Sequence, residues 1–154
     1  MSVSEELKGL VGEWSGTNRL HLGEWDPVKP IHDSVAAATV RERIRSQFLE
    51  VAYTWFHEDK PCEGVLILAG DSQTDSVSAF WTDSWHLAHQ VMLCEGRQVD
   101  GNVSVKGSYK VEGHPDWSWR TEIVPDDNLF RFNMYNISPE GAESIAVEME
   151  LKRT

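Results

Sequence analysis

The chain has 154 residues, 40% of them hydrophobic, which is the size of one domain that can close a core without disulfide or metal staples. Lys and Arg total 14 against 25 Asp and Glu, a formal charge of −11 with no basic run to interrupt it; such a surface repels phosphate, so nucleic acid and anionic membranes are not expected partners. The start, MSVSEELKGLVGEW, lacks the basic and apolar regions of a secretion signal, no run approaches the ~18 consecutive apolar residues of a membrane helix, and Cys62 and Cys94 stand in no CxxC or Cys/His cluster. The expectation is a cytoplasmic protein with two buried thiols.

In chain order, Ser4 as an N-cap with Glu5 and Glu6 behind it, and Gly9 or Gly12 as a stop, predicts one short helix within residues 1–11. From Gly12 onward the sequence divides into β-branched and aromatic segments bounded by Gly, Pro, Asp or Asn. Strands are predicted near 12–22, 34–45, 47–58, 62–71, 76–83, 86–94, 101–112, 117–124, 129–137 and 144–153. The links EDKPCEG, GDSQTD, CEGRQVDG, EGHPD, VPDDN and SPEG are too short for parallel crossovers, so neighbours pair antiparallel in a meander. Ten twisted strands with one apolar face must split into a sandwich or close, and closure also removes exposed edges; an up-and-down barrel is the expected fold. Only HLGEWDPVKPIHDS, residues 21–34, is long enough to be a lid over one end.

Alternation assigns faces. In FLEVAYTWFH, residues 48–57, the set Leu49, Val51, Tyr53, Trp55 and His57 reads inward. FWTDSWH, residues 80–86, points Trp81 and Asp83 the same way, with Asp83 at the rim, either as an interior carboxylate or as the cap of a turn. In HLAHQVMLC, residues 86–94, the matching set is Leu87, His89, Val91 and Leu93, which places His89 among apolar neighbours. LFRFNMYNI, residues 129–137, buries Phe130, Phe132 and Met134 in one register and would bury Arg131 in the other; the apolar register is expected. ESIAVEMEL then sends Ile145, Val147, Met149 and Leu151 inward.

GEWSGTNRL at the start, CEGVLILAGDSQTDSVSAFWTDSWH in the middle and WRTEIVPDDNLFRFNMYNISPEGAESIAVEMELKR at the end resemble the bacterial group called domain of unknown function 1579, itself similar to the calycin-like, lipocalin-like barrels. The resemblance spans nearly the whole chain, with residues 21–45 matching least. It implies a barrel and no established reaction. Nitrobindin-type barrels, which open with a similar GEWSG, hold haem through a histidine, so the resemblance singles out His86 and His89; otherwise no cofactor is expected.

No GxSxG elbow surrounds a serine, no glycine-rich phosphate loop precedes a helix, and the six histidines are too scattered for a metal site. The expected function is binding of a small, mostly apolar molecule in the barrel interior through Trp14, Tyr53, Trp55, Trp81, Asp83 and His89. One alternative is an enzyme using Asp83 with His86 or His89 for proton transfer. Another is a homodimer joined through exposed aromatic residues, Trp25, Trp117 and Trp119.

Overall fold

The computed structural model describes residues 3–71 and 73–154. A single turn of helix, α1 (Glu5–Lys8), precedes ten strands: β1 (Gly12–His21), β2 (Ile31–Arg43), β3 (Phe48–His57), β4 (Lys60–Asp71), β5 (Ser76–Asp83), β6 (Met92–Val99), β7 (Asn102–Tyr109), β8 (Trp117–Pro125), β9 (Leu129–Ile137) and β10 (Glu143–Arg153). Each strand pairs antiparallel with its sequence neighbours, and β1 pairs with β10 from Trp14↔Arg153 to Leu20↔Val147, so the sheet closes into the expected barrel. The closed barrel is consistent with a calycin-like fold.

The two ends differ. At the end where β1 begins, the Ser4 side chain accepts the Leu7 N–H at 3.3 Å, fixing α1 so that Leu7 and Leu10 are buried. The Trp14 indole donates to the Leu10 carbonyl at 2.8 Å, and the Arg153 guanidinium lies 4.3 Å above the same ring. This end is stoppered by apolar packing. The opposite end carries the long connections, residues 22–30, 84–91, 110–116 and 138–142.

Between them the inward positions are filled: Trp14 meets Phe130 edge-on at 5.6 Å, and Tyr53 meets Phe132 at 5.2 Å. Phe130, Phe132 and Met134 are buried while Arg131 is exposed beside Glu150, which is the apolar register expected for β9. In β10 a bulge between Ile145 and Val147 buries Ala146 and Val147 together, after which Met149 and Leu151 point inward. Burying each such side chain contributes about 1.5–3 kcal/mol before chain entropy is counted against it.

Three expectations are corrected. The strand predicted over 86–94 begins only at Met92; residues 84–89 are turns. Its inward residues are therefore Met92 and Cys94, with Val91 and Leu93 outside and His89 exposed in the turn. Second, β2 begins at Ile31, so the excursion over the rim is residues 22–30, with a single 3₁₀ turn at Gly23–Trp25. Third, Trp119 is inward and only 8% exposed, which takes it off the aromatic surface expected to join two copies; Trp25 is 83% exposed and Trp117 is partly buried.

One seam departs from regular pairing. The β2–β3 register runs from Arg43↔Phe48 to Ala37↔Thr54 and stops. Nearer the open end, β2 pairs only with β1 and β3 only with β4. The Ser34 hydroxyl bridges the gap by accepting the Phe56 N–H at 3.2 Å.

Candidate functional site

Register builds the centre of the open end. Tyr53 lies opposite Gly64 and Gly64 opposite Asp83, so the three form a row across β3, β4 and β5 on the inner face. A Cβ on residue 64 would stand 2.3 Å from the Tyr53 hydroxyl oxygen and 2.4 Å from its Cζ. Glycine is what lets the phenol ring lie across β4 and donate to Asp83 Oδ2 at 2.7 Å. The Tyr53 oxygen in turn accepts the Trp81 indole N–H at 2.9 Å, and the Trp55 indole donates to the same Oδ2 at 3.3 Å.

The other carboxylate oxygen closes the loop after β5. Asp83 Oδ1 accepts the backbone N–H groups of Trp85 at 2.9 Å and His86 at 3.0 Å, and the His86 Nδ1–H at 3.1 Å. The two sequence readings of Asp83, interior carboxylate and turn cap, are both correct, because one oxygen serves each purpose. Burial pushes this carboxyl up, but the His86 ring, its positive field and backbone N–H, and the Tyr53 hydroxyl outweigh that and hold it below the usual carboxylate range. Burial first, and the Asp83 charge second, push the Tyr53 phenol well above its ordinary value, so Tyr53 remains a neutral donor.

Against a carboxylate Nδ1 of His86 can only donate, so the neutral ring carries its lone pair on Nε2. A buried carboxylate fixing one nitrogen while the other stays free is the arrangement that orients an imidazole for ligand contact or proton transfer.

Around this pair runs a belt of ring contacts. His32 and His57 have centroids 5.0 Å apart, His57 and Trp85 5.2 Å, Trp85 and His86 4.7 Å, and His86 and Trp119 5.3 Å, with Trp119 stacked on Trp81 at 5.4 Å and 9°. Trp55 packs against both Trp85 and His86 at 5.8 Å. Two polar atoms in the belt are buried without a partner, His57 Nδ1 and Trp119 Nε1, while His32 Nε2 is paired with Asp26 Oδ2 at 3.4 Å.

Beside the belt, the gap between β2 and β3 opens into a cleft of about 290 Å³ that reaches from Lys29 and His32 to Phe56, Glu58 and Asp59.

Of the residues expected at the site, Tyr53, Trp55, Trp81 and Asp83 converge here. Trp14 lies at the stoppered end, and His89 faces solvent. Trp85, Trp119 and His32 belong to the cluster without having been singled out for it. For His57 the signal was present, since its alternation with Tyr53 and Trp55 puts it on the inner face. Among the described residues no group of three or more His, Cys, Asp or Glu could hold a metal ion. Nor do the two candidate histidines fit a haem: His86 is boxed by four indoles, His89 is outside the barrel, and neither lines the cleft.

Fold and site together define a closed ten-stranded up-and-down barrel, plugged by a short helix at one end and floored at the other by an aromatic cluster around a buried aspartate. The chain belongs to the family described as "Protein of unknown function (DUF1579)", which it matches over residues 2–153. No curated protein matches it at a significant level. Among solved structures it is similar to Rv2717c from M. tuberculosis, with a TM-score of 0.65 and 11% identity over 99% of each chain. At that identity the likeness is one of fold. No helix among the described residues is long and apolar enough to cross a membrane.

Proposed function

We propose that this protein is a binding barrel that takes a small ring-bearing molecule at its open end, displacing Trp85 to reach the indoles of Trp55 and Trp119 and the Nε2 edge of His86. One observation carries the reading: two buried polar atoms without partners, on His57 and Trp119, lie within a single continuous aromatic belt. Buried polar groups are ordinarily satisfied, and a wall of aromatic rings with a few unsatisfied polar atoms is the usual make-up of a small-molecule site. The ligand sits higher than an interior site would place it, because Trp14, Trp81, Phe130 and Phe132 occupy the barrel below. Trp85, 39% exposed on the loop that Asp83 caps, is the side chain such a ligand displaces. Two buried thiols and the acidic surface suit a reducing cytoplasm.

Native mass spectrometry of protein purified from its own host, with tryptophan fluorescence on release of what is carried, tests this. The expected result is a co-purifying molecule lost in both Trp119→Phe and His86→Ala. A clean protein mass, or a molecule retained in both variants, sinks the reading.

The Asp83–His86 contact favours a second reading, proton transfer at His86 Nε2 with Asp83 as a positioning residue, since all five hydrogen bonds to its oxygens leave Asp83 no room to act directly. Hydrolysis of p-nitrophenyl acetate faster than by free imidazole, and abolished in His86→Ala, is expected on that reading; a rate no better than imidazole rules it out.

A further inference from the structure

Trp85 marks the shape of what the open end accepts. Its backbone N–H is held by Asp83 Oδ1, but its side chain, 39% exposed, rests on rings: Trp55 at 5.8 Å, His57 at 5.2 Å and His86 at 4.7 Å. When that indole swings out, it leaves a slot of its own dimensions lined by those three rings, with Trp119 beyond, 5.3 Å from His86.

The polar atoms at this slot set the ligand's chemistry. Trp119 Nε1 can only donate and is buried without a partner, so it requires an acceptor. His86 has its Nδ1–H committed to Asp83, so its Nε2 lone pair requires a donor. His57 Nδ1, the other unpartnered atom, serves either way by choice of tautomer and does not discriminate. An ammonium has no acceptor for the indole, and an ionised carboxylate has no proton for the imidazole. Neither would find a counter-ion: the described residues of the belt are tryptophans and histidines, and the Asp83 oxygens already accept five hydrogen bonds. A hydroxyl meets both requirements with one oxygen.

Resting on the binding reading above, we infer that the molecule taken at the open end is a neutral hydroxylated arene no larger than a fused bicycle. Its oxygen accepts from Trp119 Nε1 and donates to His86 Nε2, and its ring replaces the Trp85 indole.

The test is calorimetric titration of the full chain, near neutral pH, into 2-naphthol, into 2-methoxynaphthalene, which keeps the acceptor and lacks the proton, and into 2-naphthoate, the anion on the same ring. In the parent chain 2-naphthol should bind about tenfold more tightly than its methyl ether, the ratio expected when a buried acceptor is left unpaired, and 2-naphthoate should not bind detectably. His86→Phe should abolish the preference over the ether, Trp119→Phe should weaken both neutral ligands together, and Trp85→Ala, which removes the competitor for the slot, should tighten 2-naphthol. The comparison of three ligands in the parent chain needs no variant to fold, and far-ultraviolet circular dichroism checks the variants. Failure of 2-naphthol to bind, equal or tighter binding of the ether or the naphthoate, or a preference that survives His86→Phe overturns the inference. Equal binding of naphthol and ether, both weakened in Trp119→Phe, removes the hydroxyl and leaves the belt as the site. Neutral ligands indifferent to both Trp119→Phe and Trp85→Ala overturn the belt reading along with it.

Discussion

Gly64→Ala is the substitution on which the architecture of the open end turns. A methyl at 64 would sit 2.3 Å from the Tyr53 hydroxyl, 2.4 Å from its Cζ and 2.9 Å from the Thr82 carbonyl oxygen. Ordinary contact begins near 3.4 Å, so the phenol must retreat by about 1 Å, which stretches its 2.7 Å bond to Asp83 beyond hydrogen-bond range. Loss of a hydrogen bond to a charged group costs about 1.5–3 kcal/mol, and overpacking adds about 1–3 kcal/mol. Alanine's advantage over glycine in a strand returns about 0.5–1 kcal/mol, leaving a net loss of about 2–5 kcal/mol. Guanidinium unfolding followed by far-ultraviolet circular dichroism measures it without relying on tryptophan signals that the substitution itself disturbs. Repeating the change in a Tyr53→Leu background, where no phenol reaches over residue 64, should cut the cost to about 1 kcal/mol, the residue of the Thr82 contact. Equal losses in the two backgrounds would refute the claim that Gly64 serves the Tyr53–Asp83 bond.

Asp83→Asn keeps the shape but removes the charge that accepts five donors, and should cost about 2–4 kcal/mol near neutral pH, read as a shift in unfolding midpoint. Because the folded carboxyl is held below its unfolded value of about 3.9, its stabilisation is fully present above that pH and is lost as pH falls through the folded value; the Asn variant should lose less stability than the parent on acidification through this range. Burial pushes the Cys94 thiol up to about 11 and raises Cys62 as well, so an aromatic disulfide reagent at neutral pH should react with neither until the chain unfolds. On the outer face Arg120 joins Glu143, Glu122 and Ser104 and lies 4.2 Å over the Tyr135 ring, but it is partly exposed; Arg120→Met should cost only about 0.5–1 kcal/mol by the same denaturation assay.

The barrel was legible because its turns are short and its strands alternate cleanly, and because every register that mattered buried an apolar triad such as Phe130, Phe132 and Met134. The reading of His89 failed for a physical reason. Leu87, His89, Val91 and Leu93 imitate strand period, but Asp83 captures the N–H groups of Trp85 and His86 and the chain turns through residues 84–89 before β6 begins at Met92. Leu93, 75% exposed, is outside in a cross-strand row with Phe80 and Ile67, so its hydrophobicity pointed to the wrong face. Trp119 was misread because β8 alternates aromatic and polar residues without saying which set is inner; closure against β7 and β9 decides it. His32 was hidden in what read as a lid, since nothing local announces that β2 starts at Ile31. The split between β2 and β3 is a property of pairing, which no single strand encodes.

The unequal ends of the barrel give a last prediction. The stoppered end buries Trp14, Leu7 and Leu10 with one indole N–H to satisfy, whereas the open end buries a carboxylate, a phenol and the unpartnered ring nitrogens of His57 and Trp119. Desolvating such groups is costly, and replacing a whole buried polar cluster by apolar residues is often neutral or stabilising, while removing one member leaves the rest unpaired. If the open end served stability alone, selection for a tighter plug would favour more residues like those around Trp14. Tyr53→Phe, Asp83→Leu and His86→Leu should therefore each destabilise when made singly, by about 1–4 kcal/mol. The triple variant should cost less than the sum of the three, because no orphaned charge remains. The same triple variant should lose any molecule the parent carries. A triple variant whose loss equals or exceeds the sum would mean that Asp83, with its Asx turn, is chiefly the keystone of the 84–91 loop, and the polar cluster would then need no ligand to account for it.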